Sequence, residues 1–278
     1  MQRIPVIVRA IIVGLIVTSA ASLPWGILVQ ANLRAATALP WAAALMVAYL
    51  FVYLGYLNGW GWPRSTGAFR KDSLRAISLP LRVWGWSLLS GISAFASSIA
   101  LLLVVRRMIP WPVAAEEYPA RLSPLFIVVT LLVSAAVAGV SEESGFRGYM
   151  QRILEGRYGP TTAILLSSVV FGLAHLTHGL RPVPLLFDAV WGALYGILAY
   201  LSGSIIPGMI LHSSLDFIEF LVAWRRVLPL RPLVWQSGPD HHFWGTCAAA
   251  IILALVAVWA FRCLAAITKH MRTCDGGR

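Results

Sequence analysis

Three short groups of ionisable and polar residues punctuate an otherwise apolar second half of the chain. They are Ser141-Glu142-Glu143-Ser144-Gly145-Phe146-Arg147-Gly148, then Phe171-Gly172-Leu173-Ala174-His175 with His178 just beyond, then His212-Ser213-Ser214-Leu215-Asp216. If the first group is helical, Glu143 and Arg147 are four apart and share a face, in the favourable order for an ion pair. Glu142 is then turned about 100° away. One carboxylate can be held by Arg147 while the other stays available for proton transfer. In the third group, His212 and Asp216 are also four apart, so the carboxylate can accept from one imidazole nitrogen. That would fix the tautomer and aim the other nitrogen inward. The bland readings are an interfacial helix end for the first group, a structural histidine for His175 and a span-end residue for His178.

Taken together, these side chains supply a general base, two imidazoles and an orienter, enough for attack of water on an amide. Glu142 would take a proton from water and return it to the leaving amine, with His175 and His212 stabilising the oxyanion. The alternative is a metal held by Glu142, His175 and His212, which would activate water instead. Arg147 next to the site disfavours a dication, so the residues favour a metal-free glutamate mechanism with no cofactor, zinc being the ion the alternative would use. Other hydrolase signatures are missing from the sequence: H-E-x-x-H for a zinc protease, G-x-S-x-G for a serine elbow and paired G-x-G-D aspartates.

The elements that must position these groups follow from composition. The 278 residues are 59% hydrophobic and 12% charged, with a mean hydropathy of +0.77, against about 25% charged residues in a soluble domain. A single core of this length cannot hide so much apolar side chain. Lipid is therefore the solvent, and soluble, disordered and fibrous classes are excluded. Spans need about 20 mostly apolar residues. Eight stretches qualify: 10–30, 39–57, 83–105, 125–140, 161–176, 185–201, 205–223 and 244–267. The fourth and fifth are short. The expected fold is all-α, a polytopic membrane bundle of about eight helices. It divides into N-terminal spans with an interfacial segment (1–124), core spans with the three groups (125–223), and a last span with a tail (224–278). Arg3 and Arg9 ahead of the first apolar run also fit a signal peptide, but the run is long for one, which favours an uncleaved first span.

The 22 Lys and Arg residues against 11 Asp and Glu sit mainly between the apolar runs. They mark loops and orientation, not nucleic-acid binding. They divide fourteen to eight between the two sides, which predicts that both termini are cytoplasmic. Trp25, Trp41, Trp84, Trp86, Trp111, Trp224 and Trp244 fall near span ends, as in an aromatic belt. The basic, aromatic stretch Gly59–Leu79, with a helix start at Asp72–Ser73, reads equally as an interfacial helix on anionic headgroups or as a solvated loop. Cys247, Cys263 and Cys274 have no metal-type spacing.

Glu142-Glu143-x-x-x-Arg147, Phe171-x-x-x-His175 and His212-x-x-x-Asp216, in this order and each on its own span, resemble the three motifs of the CAAX prenyl endopeptidase and bacteriocin-processing family of intramembrane proteases. The resemblance covers roughly residues 125–223. It implies eight helices and an endopeptidase acting on a membrane-anchored or lipid-modified protein. It further implies that Glu142 is the base activating water, that His175 and His212 are its partners, and that the position of Asp216 supports the oxyanion. Glu143 and Arg147 would hold the geometry. Asp216 departs from the prenyl-protein branch, which has asparagine there. An ionised aspartate has no proton to donate, so either it stays protonated or it orients His212 while other donors serve the oxyanion. The family has been read both as metal-dependent and as glutamate-dependent.

Two other classes stay open. A non-catalytic scaffold or immunity protein of the same fold would tolerate change at the motifs, and a proton-relay transporter would spread polar residues along a path through several spans. Asp188, a partner for Arg181 or a cavity residue, and Glu219, at a span end, read as structural.

Overall fold

A computed structural model describes residues 4–35, 37–110, 122–178, 182–225 and 231–275, with side chains of 177–178 and 272–275 left aside. Ten α-helices run in the order α1 (Val6–Arg34), α2 (Trp41–Leu57), α3 (Gly67–Leu74), α4 (Leu81–Met108), α5 (Pro124–Glu142), α6 (Gln151–Ala174), α7 (Pro182–Ser202), α8 (Ile206–Arg225), α9 (Val234–Ser237) and α10 (His241–Asp275). A π-helical segment, Glu143–Met150, joins α5 directly to α6, and a 3₁₀ turn, His175–His178, follows α6. No strand occurs among the described residues.

All eight apolar stretches lie in these helices. Among the described residues six helices are long and apolar enough to cross a membrane by length and composition, and Trp41–Leu57 is a shorter apolar one. The fourth and fifth stretches belong to one continuous run, Pro124–Ala174. It starts where the Ser123 hydroxyl accepts from the Phe126 amide at 3.1 Å, with Pro124 in the first turn. It bends at Gly159, whose φ of 76° is outside the helical region and is followed by Pro160. The shortness of the fourth stretch is thus explained: it continues through the buried polar residues of 141–151 inside the bundle, whereas the fifth is reached through the exposed residues 156–158. Large apolar side chains point outward along the spans, among them Ile16, Ile27, Phe51, Leu125, Leu165, Leu186 and Leu255, as a lipid-facing surface requires.

α10 lies along α4, α5 along α8, α6 along α7, and α1 against the π segment. Small residues bring these helices close: a Cβ on Gly145 would stand 2.5 Å from the Gly14 carbonyl oxygen of α1. Tyr49 and Tyr53 of α2 donate to the Ala20 and Val17 carbonyls of α1 at 2.6 and 2.9 Å. Ala10 of α1 packs with Leu154 of α6, while Leu264 of α10 packs with Val83 of α4. The beginning of α1 and the last turns of α10 are therefore at the end of the bundle that holds α3.

Two expectations are corrected. Within Gly59–Leu79 the helix begins at Gly67 and ends near Asp72–Ser73, where a start was expected, and Arg75 closes it in the left-handed region at φ 53°. Two of this segment's arginines turn inward instead of towards headgroups. Arg70 donates to the Tyr56 and Trp60 carbonyls at 2.9 and 2.7 Å, and Arg75 pairs with Glu155 at 2.9 Å. Burial pushes the Arg75 guanidinium below its ordinary pKa, with Glu155 opposing the shift. The aromatic belt is also revised. Trp25 is buried and donates to Ser134 Oγ at 3.0 Å, and Trp86 packs edge-on against Trp259; Trp244 is exposed as expected, together with Trp60 and Trp62. Trp111, Arg121 and Arg181 lie outside the described residues.

Candidate active site

The first motif lies at the junction of α5 and the π segment. A π turn widens the helix and is found frequently at functional sites. Here it turns Glu143, Ser144, Phe146 and Arg147 into the protein together, all of them buried. Glu143 and Arg147 form the ion pair expected from their spacing, at 3.2 Å, with side chains 0% and 1% exposed. One carbonyl and the rings of Phe171 and Tyr195 complete the cradle of the Arg147 side chain. It donates to Gly192 O of α7 at 3.1 Å, and its guanidinium lies over the ring of Phe171 at 4.2 Å, with Tyr195 at 5.2 Å. The Arg147 carbonyl accepts from Arg75 at 2.5 Å. Removing the partner of a buried charge costs about 3–5 kcal/mol, so the cradle specifies where Glu143 sits.

His212, from α8, is the hub. Its Nδ1 lies 3.0 Å from Glu143 Oε1. A carboxylate paired to arginine only accepts, so Nδ1 carries the proton. On the other edge, Nε2 faces Glu142 Oε2 at 3.7 Å and Asp216 Oδ2 at 3.6 Å. Both are too long for direct hydrogen bonds and become ion pairs when the ring carries both protons. The sequence pointed to Asp216 as the orienter of His212; the geometry gives that role to Glu143, because helix rotation brings the buried carboxylate to Nδ1 and leaves Asp216 alongside Nε2. Glu142 and Asp216 keep side-chain exposures of 21% and 16%, against 7% for His212. The buried charges therefore lie behind the imidazole and the accessible ones in front of it.

Gly208, one turn before His212, permits this approach: a Cβ there would stand 2.8 Å from Glu143 Oε2. His175 follows α6 at the start of the 3₁₀ turn, its Nδ1 2.9 Å from the Phe171 carbonyl. That nitrogen donates, since a carbonyl oxygen only accepts. Phe171 links the two histidines, with ring centroids 4.8 Å from His175 and 6.1 Å from His212. His178 ends the turn, and its side chain lies outside the described residues. Asp188 is half-buried in α7, and Glu219 is exposed one turn beyond Asp216.

Three features escaped the sequence reading. Gln151 extends the ladder below Arg147, donating to Gly196 O at 3.0 Å and Glu155 Oε1 at 2.8 Å, which joins the site to the Arg75–Glu155 pair. Tyr195 stacks flat on His212, centroids 4.7 Å apart and planes 11° from parallel. Gly192 and Gly196, four apart, face Arg147 and Gln151, also four apart. That matched spacing was the one available signal.

As for a metal, no three His, Cys, Asp or Glu side chains among the described residues converge as ligands. Glu142, His175 and His212 do not converge as a zinc set as arranged, although both imidazoles use Nδ1 to donate to an oxygen, the pattern that a histidine ligating through Nε2 also shows.

The fold and site define a polytopic helical membrane protein with a buried carboxylate, imidazole and guanidinium centre contributed by three helices. A family model described as type II CAAX prenyl endopeptidase Rce1-like matches residues 124–218, the segment that runs from α5 into α8 and carries all three motifs. The match bears out the resemblance read from those motifs and supports a membrane protease activity of the CAAX type. No curated protein and no solved structure gives a match.

Proposed function

We propose that the protein is an intramembrane endopeptidase that hydrolyses a peptide bond of a membrane-anchored or lipid-modified protein, with Glu142 activating water. The observation that carries this reading is Glu142 Oε2. It is buried, it has no hydrogen-bond partner among the described residues, and it lies 3.7 Å from His212 Nε2. A water seated against both reaches each at hydrogen-bond distance. Glu142 takes one proton from that water, and the oxygen attacks the carbonyl carbon. The carbonyl electrons move to oxygen, giving an oxyanion that His212 and His175 stabilise through Nε2 when doubly protonated. Collapse breaks the C–N bond, and the proton on Glu142 passes to the leaving amine. Glu143 and Arg147 hold His212 in place, and Asp216 sets the charge in front of it. The mechanism is metal-free and needs no cofactor, because Arg147 beside Glu143 opposes a dication. The first turns of α1 and the end of α10 lie at the arginine-bearing end around α3, which supports the reading of cytoplasmic termini in a bacterial inner membrane.

Purified protein in lipid nanodiscs is offered two internally quenched peptides. One ends in a farnesylated CAAX sequence; the other carries an N-terminal palmitoyl anchor in its place. Wild type is expected to cut at least one of them. Glu142→Gln and His212→Ala are expected to reduce the rate by about 100-fold or more. Equal cleavage by wild type and both variants overturns the proposal, and cleavage of neither peptide by wild type favours a non-catalytic scaffold. Stoichiometric zinc that disappears in His175→Ala would replace the metal-free mechanism.

A further inference from the structure

We infer that Tyr195 of α7 is a positioning residue that fixes the plane of the His212 imidazole; this rests on the proposed hydrolytic role of His212. The hydrogen bond from Nδ1 to Glu143 Oε1, 3.0 Å long, fixes one point on the ring's edge. It leaves the ring free to tilt about the line joining the two atoms, and such a tilt carries Nε2 away from Glu142 and Asp216. A flat neighbour on the ring's face opposes that tilt. Tyr195 supplies one, with centroids 4.7 Å apart and planes 11° from parallel, whereas Phe171 meets His212 edge-on at 69° and constrains the plane less.

Tyr195 is itself held rigidly. It is 1% exposed, and Phe95 of α4 covers it at 4.4 Å between centroids. Phe95 in turn packs edge-on against Trp191, whose indole donates to Ser98 Oγ of α4 at 2.7 Å. The pile from α4 through α7 to α8 therefore ends on the imidazole. The Tyr195 hydroxyl is buried and has no hydrogen-bond partner among the described residues. Nothing in these contacts engages the hydroxyl, and the ring does the positioning, so phenylalanine should replace tyrosine here.

The test compares Tyr195→Phe and Tyr195→Leu in nanodiscs, using whichever quenched peptide wild type cuts. Tyr195→Leu is expected to lower kcat about 10- to 100-fold with little change in KM, as misplacement of a reacting group does. Tyr195→Phe should recover most of that loss. In a His212→Ala background, Tyr195→Leu should lower the residual rate no further, because a residue acting through His212 has nothing left to position. Nitrogen-15 spectra of the histidines give a readout that needs no substrate: the Nδ1 signal of His212 should stay single and sharp in wild type and Tyr195→Phe, and broaden or split in Tyr195→Leu. The inference is overturned if the leucine variant matches wild type in kcat and spectrum, if phenylalanine fails as badly as leucine, or if the leucine effect persists undiminished without His212. Loss of the hydrolytic reading registers separately, as a His212→Ala variant as active as wild type.

Discussion

Gly208→Ala reverses the usual sign of a helical glycine replacement. In an open helix interior, alanine is favoured over glycine by about 0.8–1.0 kcal/mol. At Gly208 the new Cβ would stand 2.8 Å from Glu143 Oε2 and 3.4 Å from Cδ. Relief to a Cβ–oxygen separation of about 3.3 Å demands a displacement of about 0.5 Å. Glu143 is fully buried, so the carboxylate retreats from α8, the same helix that carries His212. The 3.0 Å contact to His212 Nδ1 then lengthens to about 3.5 Å, beyond the usual range for N–H···O. Loss of a hydrogen bond to a charged group removes about 1.5–3 kcal/mol, and overpacking adds about 1–3 kcal/mol. After the alanine gain, the net destabilisation is about 1.5–5 kcal/mol. Cleavage should fall about 10- to 100-fold, since the imidazole loses its anchor. Thermal unfolding in detergent and the quenched-peptide assay measure the two effects. Gly85→Ala in α4 is the control, because nothing lies within 4 Å of a Cβ there. A Gly208→Ala protein that melts and cleaves like wild type would refute the close approach and the role of Glu143 as orienter.

Arg75→Ala and Glu155→Ala should each destabilise the protein by about 3–5 kcal/mol, because each leaves a buried partner uncompensated; the double substitution should cost clearly less than their sum in chemical denaturation, and strict additivity would argue against the pair. Asp240 caps α10 by accepting from the Phe243 amide at 2.8 Å, and this bond, with Arg107 and Arg231 nearby, holds its carboxyl below the ordinary value. A carboxyl lowered on folding contributes stability that is present above its unfolded pKa near 3.9 and is lost as pH falls through the folded value. Melting temperature followed across that acid window should therefore drop for wild type, and Asp240→Asn should flatten this component; identical pH profiles would count against it.

The architecture was legible because lipid imposes a one-dimensional code. A span must be apolar along most of its length, so eight stretches could be found without knowing how they pack. Glu143 and Arg147 were equally legible, since a pair four apart depends only on local helical geometry and survives the π turn. What the sequence left hidden depends on how one helix is rotated against another. Asp216 seemed the natural partner of His212 because it is close in sequence, yet Glu143 from a different helix occupies Nδ1. Arg75 resembled the other loop arginines, and only the turn at the end of α3 directs it inward. Tyr195 carried no signal at all, since a tyrosine in an apolar span is ordinary until its ring is seen against an imidazole.

The ladder from Glu143 through Arg147 and Gln151 to Glu155 also bears on how this protein comes to exist. Every rung is a liability while the chain is being inserted, since each charge in a lone span costs about 2.5–3.5 kcal/mol. Apart from the Glu143–Arg147 pair and the arm of Arg75, the groups that neutralise the ladder come from later in the chain: the Gly192 and Gly196 carbonyls of α7 and the imidazole of α8. The central helix is therefore unsettled in lipid until α7 and α8 arrive. Biogenesis and the proposed hydrolytic centre depend on the same contacts, so substitutions at Gly192 or Gly196 should show themselves first as protein that fails to accumulate in the membrane.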